Sequence, residues 1–189
     1  MAEGPKGGSP AYDRRRCAVR VPGLSVGGTT LRGMSDTEVA SHRAAVDRLL
    51  AAPFAEREDR EGEEWSGPGF RLAALTESQA FWEVHDPEVV DAAERRIEAA
   101  LGTLAAALTG AWGGAPATVE LWPYRECDLP DPAAPGPLGF LAGVASELLV
   151  WQPSADRWLG LTVGQADPAL PFRLLAMVGA GSLPEPPAG

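Results

Sequence analysis

The stretch ELLVWQ at residues 147–152, the turn PSAD at 153–156 and the stretch RWLGLTV at 157–163 decide the fold. Both flanks are rich in Leu, Val and Trp, and the four residues between them are typical of a tight turn. Apolar runs of this length joined by a short polar turn pair with each other, so we expect a β-hairpin. The fold therefore contains an antiparallel sheet.

Further segments on both sides of this hairpin carry strand signals. Residues 118–122 precede a proline and residues 172–178 form an apolar run, so each predicts one more strand. Upstream, the charged run 56–64 leads through a Ser-Gly-Pro-Gly turn at 66–69 into the apolar segment 70–75. That pattern predicts a second hairpin, made of one polar edge strand and one better-buried strand.

Two helices are marked by their N-terminal caps. Ser35 and Glu38 form a Ser-x-x-Glu capping box, in which each side chain bonds the backbone N–H of the other residue. Asp86 followed by Pro87 marks a second helix start, since Asp is favoured at the N-cap and Pro at the first helical position. Behind both caps apolar residues recur at helical spacing, so we expect two amphipathic helices. Residues 138–146 are expected to add one helical turn.

The resulting order is α-ββ-α-ββββ. It predicts an α+β fold, with an antiparallel sheet of about five to six strands and two amphipathic helices packed on one face. We assign residues 34–178 to a single domain, and the Gly/Pro-rich residues 1–33 and 179–189 to a disordered arm and a disordered tail. Because Met34 directly precedes the first cap, an alternative interpretation is that translation begins there and that the arm lies upstream of the true start.

Charge is distributed unevenly along the chain. The formal net charge is −10; residues 1–34 hold six basic and two acidic residues, for +4, which leaves −14 on the remainder. A body this acidic repels phosphate backbones and anionic membrane surfaces. We therefore expect neither a nucleic-acid partner nor a membrane partner.

Cysteine content and hydropathy indicate the compartment. Cys17 and Cys127 are too few for a disulfide framework or a zinc cluster, which suits a reducing environment. No apolar run approaches the roughly 18 residues of a membrane span. We expect a cytoplasmic protein.

No catalytic motif supports a named reaction. Gly-x-Ser-x-Gly, His-Glu-x-x-His and paired Cys-x-x-Cys are absent from the sequence. Asp86 is better explained as a helix cap than as a metal ligand, and carboxylates beside Cys127 disfavour its thiolate. We predict no catalytic residue, no metal site and no cofactor. The enzymatic alternative is a hydrolase or transferase that uses dispersed carboxylates with His85.

Tryptophans are the candidates for binding. Several of the six are expected in the core, because large residues fill the space between sheet and helices. Trp151 and Trp158 flank the hairpin turn and Trp122 ends another predicted strand, so we expect one sheet face to expose aromatic residues. Together with Glu147, these three form the predicted binding site.

The predicted architecture resembles that of small bacterial α+β chaperone and immunity-type domains, a resemblance of fold alone. It implies a non-enzymatic protein-interaction module of the chaperone, adaptor or immunity type. The partner is expected to be a protein of unknown identity, and a basic one would complement the acidic surface.

Overall fold

The computed structural model describes residues 34–83, 86–125, 137–183 and 185. The predicted arm, His85, Cys127 and residues 184 and 186–189 of the predicted tail lie outside these residues. Within them, no helix is both long and apolar enough to cross a membrane. The elements are α1 (Asp36–Ala51), β1 (Asp59–Glu61), β2 (Glu64–Gly67), β3 (Phe70–Glu77), α2 (Pro87–Trp112), β4 (Ala117–Glu120), α3 (Trp122–Arg125), α4 (Pro137–Val144), β5 (Glu147–Ser154), β6 (Arg157–Gly164) and β7 (Arg173–Ala180).

All seven strands lie in one antiparallel sheet, in the order β1-β2-β3-β7-β6-β5-β4. The α+β class and the antiparallel sheet are confirmed, with a strand count slightly above the five to six expected. The hairpin predicted at 147–163 is β5 with β6, in which Leu149 lies opposite Leu161 and Trp151 opposite Leu159. β7 lies between β3 and β6, so it joins the two halves of the sheet.

The additional strand arises from a turn inside the charged run 56–64. β1 pairs with β2, with Asp59 opposite Ser66. Between these strands Gly62 has a φ of 58°, a left-handed conformation that glycine adopts without steric penalty. All three residues of β1 are exposed, so the strand is held by backbone pairing and shows no apolar alternation. Where one polar edge strand was expected, the chain forms two strands.

Both predicted caps form, and α1 and α2 pack on one face of the sheet. The Ser35 hydroxyl accepts from the Glu38 amide, and the Glu38 carboxylate accepts from the Ser35 amide at 2.8 Å. The Asp86 carboxylate accepts from the Glu88 amide at 2.9 Å. α1 lies over β3 and β7, and α2 lies over β6 and β7. The buried core between them includes Val46, Leu49, Ile97, Leu104, Leu108, Leu159, Leu161, Leu174, Ala176 and Val178.

Two arginines from the sheet bind backbone carbonyls at the end of α1 and just beyond it. Arg157 donates to the carbonyl oxygens of Leu50 and Ala52 at 2.6 and 2.7 Å. Arg71 donates through two nitrogens to the carbonyl oxygen of Pro53, at 2.8 and 2.9 Å. The last carbonyls of a helix have no intrahelical partner, and the rigid guanidinium fork satisfies several at once. These contacts fix the end of α1 to β3 and β6.

The opposite face of the sheet is covered as well, by a helix additional to the two that were expected on the first face. Leu141 and Ala142 of α4 join a second core with side chains from that face. α4 spans eight residues where a single helical turn was expected. The second core also contains Trp65, Phe70, Leu72, Leu121, Tyr124, Leu148, Trp158, Leu175 and Met177.

In this second core, β7 passes close to Trp158. Trp158 lies opposite Gly179, and a Cβ atom on Gly179 would collide with the indole ring. The ring fills the space that a side chain at position 179 would need, and Trp158 is 2% exposed. β7 ends at Ala180, two residues past residue 178, the expected end of this strand.

Candidate functional site

β4 and α3 form an edge of the sheet at which one tryptophan is exposed. Leu121 joins the two elements; its side chain is fully buried, and its backbone N–H donates to the Ser146 carbonyl at 2.8 Å. Tyr124, one turn further along α3, is also buried. Because Leu121 and Tyr124 both face the core, Trp122 between them points away from it and is 58% exposed.

Two glutamates lie next to this tryptophan on neighbouring strands. Glu120 of β4 is paired with Glu147 of β5, and the indole N–H of Trp122 donates to Glu120 Oε2 at 3.0 Å. Leu121 and Ser146 are a hydrogen-bonded pair, so the adjacent pair, Glu120 with Glu147, is a non-hydrogen-bonded one. Side chains of such pairs lie closest together, and like charges there repel. Glu120, Trp122 and Glu147 are termed the acidic edge below.

The other two predicted binding residues are buried. Trp151 is 4% exposed and packs edge-on against Trp112, with ring centroids 6.3 Å apart. Trp158 is 2% exposed and belongs to the core on the opposite face. The expected exposed aromatic face is therefore not present at these two positions, because helices cover both faces. Trp122 and Glu147 do come together, and the binding role of all four residues stays a prediction.

A second candidate is a cleft with a volume of about 950 Å³. It opens between the first turns of α1 and α2 and the end of β3. Its lining includes Met34, Ser35, Glu38, His42, Thr76, Glu77, Ser78, Gln79, Asp86, Glu88, Val89 and Arg96. This volume is typical of small-molecule sites, although most such sites are lined mainly by apolar side chains.

His42 is a partly buried titratable group of the cleft. It lies beside the irregularity of β3 between Ala74 and Thr76, and its Nδ1 atom is buried with no hydrogen-bond partner among the described residues. Burial lowers the pKa of His42 from its usual 6.5, while Glu38 and the Leu75 backbone oppose the shift. The net effect favours a neutral imidazole.

Three of the four carboxylates that line the cleft, all but that of Glu88, are committed to structural contacts. Glu38 accepts from Ser35, and these hydrogen bonds hold the pKa of Glu38 below its usual value. Glu77 forms an ion pair with Arg173 at 3.0 Å, and Asp86 caps α2. Acids held in this way keep their place, which suits a framework better than proton transfer.

Metal and histidine chemistry receives no support from the residues that the structure describes. Among them, no group of three or more His, Cys, Asp or Glu side chains is arranged to hold a metal ion. His85, on which the enzymatic alternative depends, lies outside the described ranges, as does Cys127. The enzymatic alternative therefore stays a prediction.

Sequence reasoning did not identify the cleft or the pairing of Glu120 with Glu147. The cleft depends on an irregular step in β3 that has no signature in its sequence. The glutamate pair depends on register, and both residues do flank the apolar segments predicted as strands. Aligning 117–120 against 147–150 as antiparallel neighbours would have placed the two acids opposite each other.

Comparison with known proteins adds nothing to this geometry. No protein-family model, no curated protein and no solved structure matches the chain. Function is therefore argued from the arrangement of its own residues.

Proposed function

We propose that this chain is a non-enzymatic protein-interaction module and that the acidic edge is its partner-binding surface. The carrying observation is the like-charge pair of Glu120 and Glu147 beside the 58% exposed ring of Trp122. Exposed tryptophans are the residues most enriched among those that dominate binding energy at interfaces. Repulsion between two unneutralised carboxylates costs stability in the free chain and is relieved by a cationic partner.

Charge sets the kind of partner. The net charge of −14 over residues 35–189 attracts a basic protein and speeds its encounter, while phosphate-rich partners are repelled. A basic protein partner in the cytoplasm, with neither a nucleic acid nor a membrane surface involved, is part of the proposal. An adaptor, chaperone or immunity role fits a surface that binds without chemistry.

The acidic edge is favoured over the cleft because its polar groups are less occupied. In the cleft, Glu38, Glu77 and Asp86 are held by caps and by an ion pair. At the edge, Glu147 has no side-chain contact among the bonds and ion pairs of the described residues, and Glu120 has only the Trp122 indole. Groups without a strong internal partner have the most to gain from an external one.

The test compares Trp122→Ala with Trp82→Ala as a matched control. Trp82 is 67% exposed and lies between β3 and α2 rather than in α3, so both substitutions remove an accessible indole with little loss of stability. Proteins captured from the source organism are quantified on the wild type and both variants. A captured protein is then purified, and its affinity is measured by calorimetry.

We expect one or more captured proteins to be lost on Trp122→Ala and retained on Trp82→Ala. For the purified partner, truncation of a central interface tryptophan weakens binding by about 2 kcal/mol or more, roughly thirtyfold. An identical set of captured proteins on wild type and Trp122→Ala, with equal affinities, would show that the acidic edge is not the binding surface.

A further inference from the structure

The outer side of β4 is an open edge in the part of the chain that the structure describes. Among the described strands, β4 pairs with β5 alone. The bond between Leu121 and Ser146 places the hydrogen-bonded positions of β4 at 117 and 119. The N–H and C=O groups of Thr118 and Glu120 therefore point away from β5. Two donors and two acceptors face the position that a further strand would take.

The other edge of the sheet, β1, has features that discourage pairing with a further strand, and β4 lacks them. β1 reads Asp-Arg-Glu and is exposed along its whole length. Very short, fully charged edge strands discourage pairing with other chains. Arg60 of β1 also lies over the ring of Trp65, 4.1 Å from its centroid. β4 reads Ala-Thr-Val-Glu, with no proline, no lysine and a single charge at its end.

The side chains around β4 indicate which residues an added strand would carry. Val119 packs against the second core, so Thr118 and Glu120 lie on the opposite face of the strand. In an added antiparallel strand, the residue beside Glu120 lies on this same face, within reach of Glu147. A lysine or arginine there is attracted by both carboxylates and can stack on Trp122.

The geometry points to strand addition: an extended segment of a basic protein pairs with β4 as an eighth strand and places a Lys or Arg beside Glu120 and Glu147. This inference rests on the proposed function, since it specifies how the acidic edge is used. Backbone bonds from Thr118 and Glu120 supply a sequence-independent part of the affinity, and the acidic edge supplies the preference for a cation.

The test uses the whole chain, a phage-displayed library of random nine-residue peptides, and two substitutions at one position. Thr118→Pro removes an outward N–H without touching the bonds to β5, and proline is tolerated on edge strands. Thr118→Val is the matched control, because it keeps the N–H and nearly the same shape. Hydrogen exchange of the Thr118 and Glu120 amides is followed by NMR with and without a selected synthetic peptide.

We expect selected peptides to be enriched in Lys or Arg and poor in Pro. Loss of one outward hydrogen bond should weaken the best peptide about tenfold on Thr118→Pro, with affinity on Thr118→Val close to wild type. The amides of Thr118 and Glu120 should exchange quickly in the free chain and slowly in the complex. Protection of both amides in the free monomer would mean that the edge is already covered, and would overturn the inference.

Three other results would also overturn strand addition. They are failure of the library to enrich any peptide, equal affinity on Thr118→Pro and Thr118→Val, and protection that appears only on self-association at high protein concentration. These failures are separable from failure of the proposed function. If Trp122→Ala still loses the native partner, the acidic edge remains the binding surface and only the strand-addition mode is wrong.

Discussion

Replacing Glu147 with glutamine should stabilise the free chain, because it removes one member of the repelling pair with Glu120. The Cβ atoms of such a pair lie about 5 Å apart, and we take about 6 Å as the order of magnitude of the separation between the two carboxylates. In surroundings as polar as water, this separation gives a repulsion of about 0.7 kcal/mol. The indole N–H of Trp122 offsets part of the charge on Glu120, so we expect a net gain of about 0.5 kcal/mol in the free energy of unfolding.

Urea denaturation at low salt measures this gain. With a slope of about 2 kcal/mol per molar, the midpoint should rise by about 0.25 M on Glu147→Gln. In about 1 M NaCl the screening length falls to about 3 Å, and the gain should nearly vanish. Affinity for a basic partner should fall in the same variant, so that stability and binding change in opposite directions.

Glu120→Gln is the internal control. It relieves the same repulsion but weakens the hydrogen bond from Trp122, so its gain should be smaller than that of Glu147→Gln. The double substitution should add little, because the repulsion is lost with the first change. A midpoint that falls or stays constant on Glu147→Gln at low salt, or a gain that high salt leaves intact, would refute the like-charge pairing.

Three further substitutions test the fold around the site. Gly179→Ala should lower the free energy of unfolding by about 1 to 3 kcal/mol in urea titrations, because its methyl group would overlap the Trp158 ring. Trp151→Ala should cost about 3 to 5 kcal/mol by the same assay, whereas Trp122→Ala should change stability little. Burial lowers the pKa of His42 from 6.5, so its contribution to stability is complete above that pH and is lost as the pH falls below it. His42→Leu should therefore reduce the loss of stability between about pH 7.5 and about pH 5; an unchanged pH profile would contradict the burial of the imidazole.

Local chemistry made the helix starts predictable from sequence. The capping box of Ser35 with Glu38 and the cap at Asp86 involve residues within three positions of each other, so sequence spacing determines their geometry. The hairpin of β5 and β6 was predictable for the same reason. The turn at Gly62 was missed because charged residues on both sides gave no change of period between β1 and β2.

Long-range packing limited the prediction of the site. Alternation within β6 correctly separates Trp158 from Leu159, but it does not say which face is exposed. Residues 174–178 are continuously apolar, as expected of a strand covered on both faces. That signal indicates a second helical layer, and with it the prediction for Trp151 and Trp158 would have been burial in the core. Trp122 is exposed, unlike Trp151 and Trp158, because its neighbours Leu121 and Tyr124 occupy the core positions.

The position of β7 affects when the sheet can form during translation. Among the described strands, β1–β3 and β4–β6 are joined only through β7, so two incomplete sheets leave the ribosome before residues 173–180 emerge. Until then the inner margins of β3 and β6 are unpaired in the nascent chain, although both are apolar and prone to aggregation. A chain truncated before residue 173 should therefore expose the unpaired edges of β3 and β6 and aggregate, instead of folding as a slightly shortened protein.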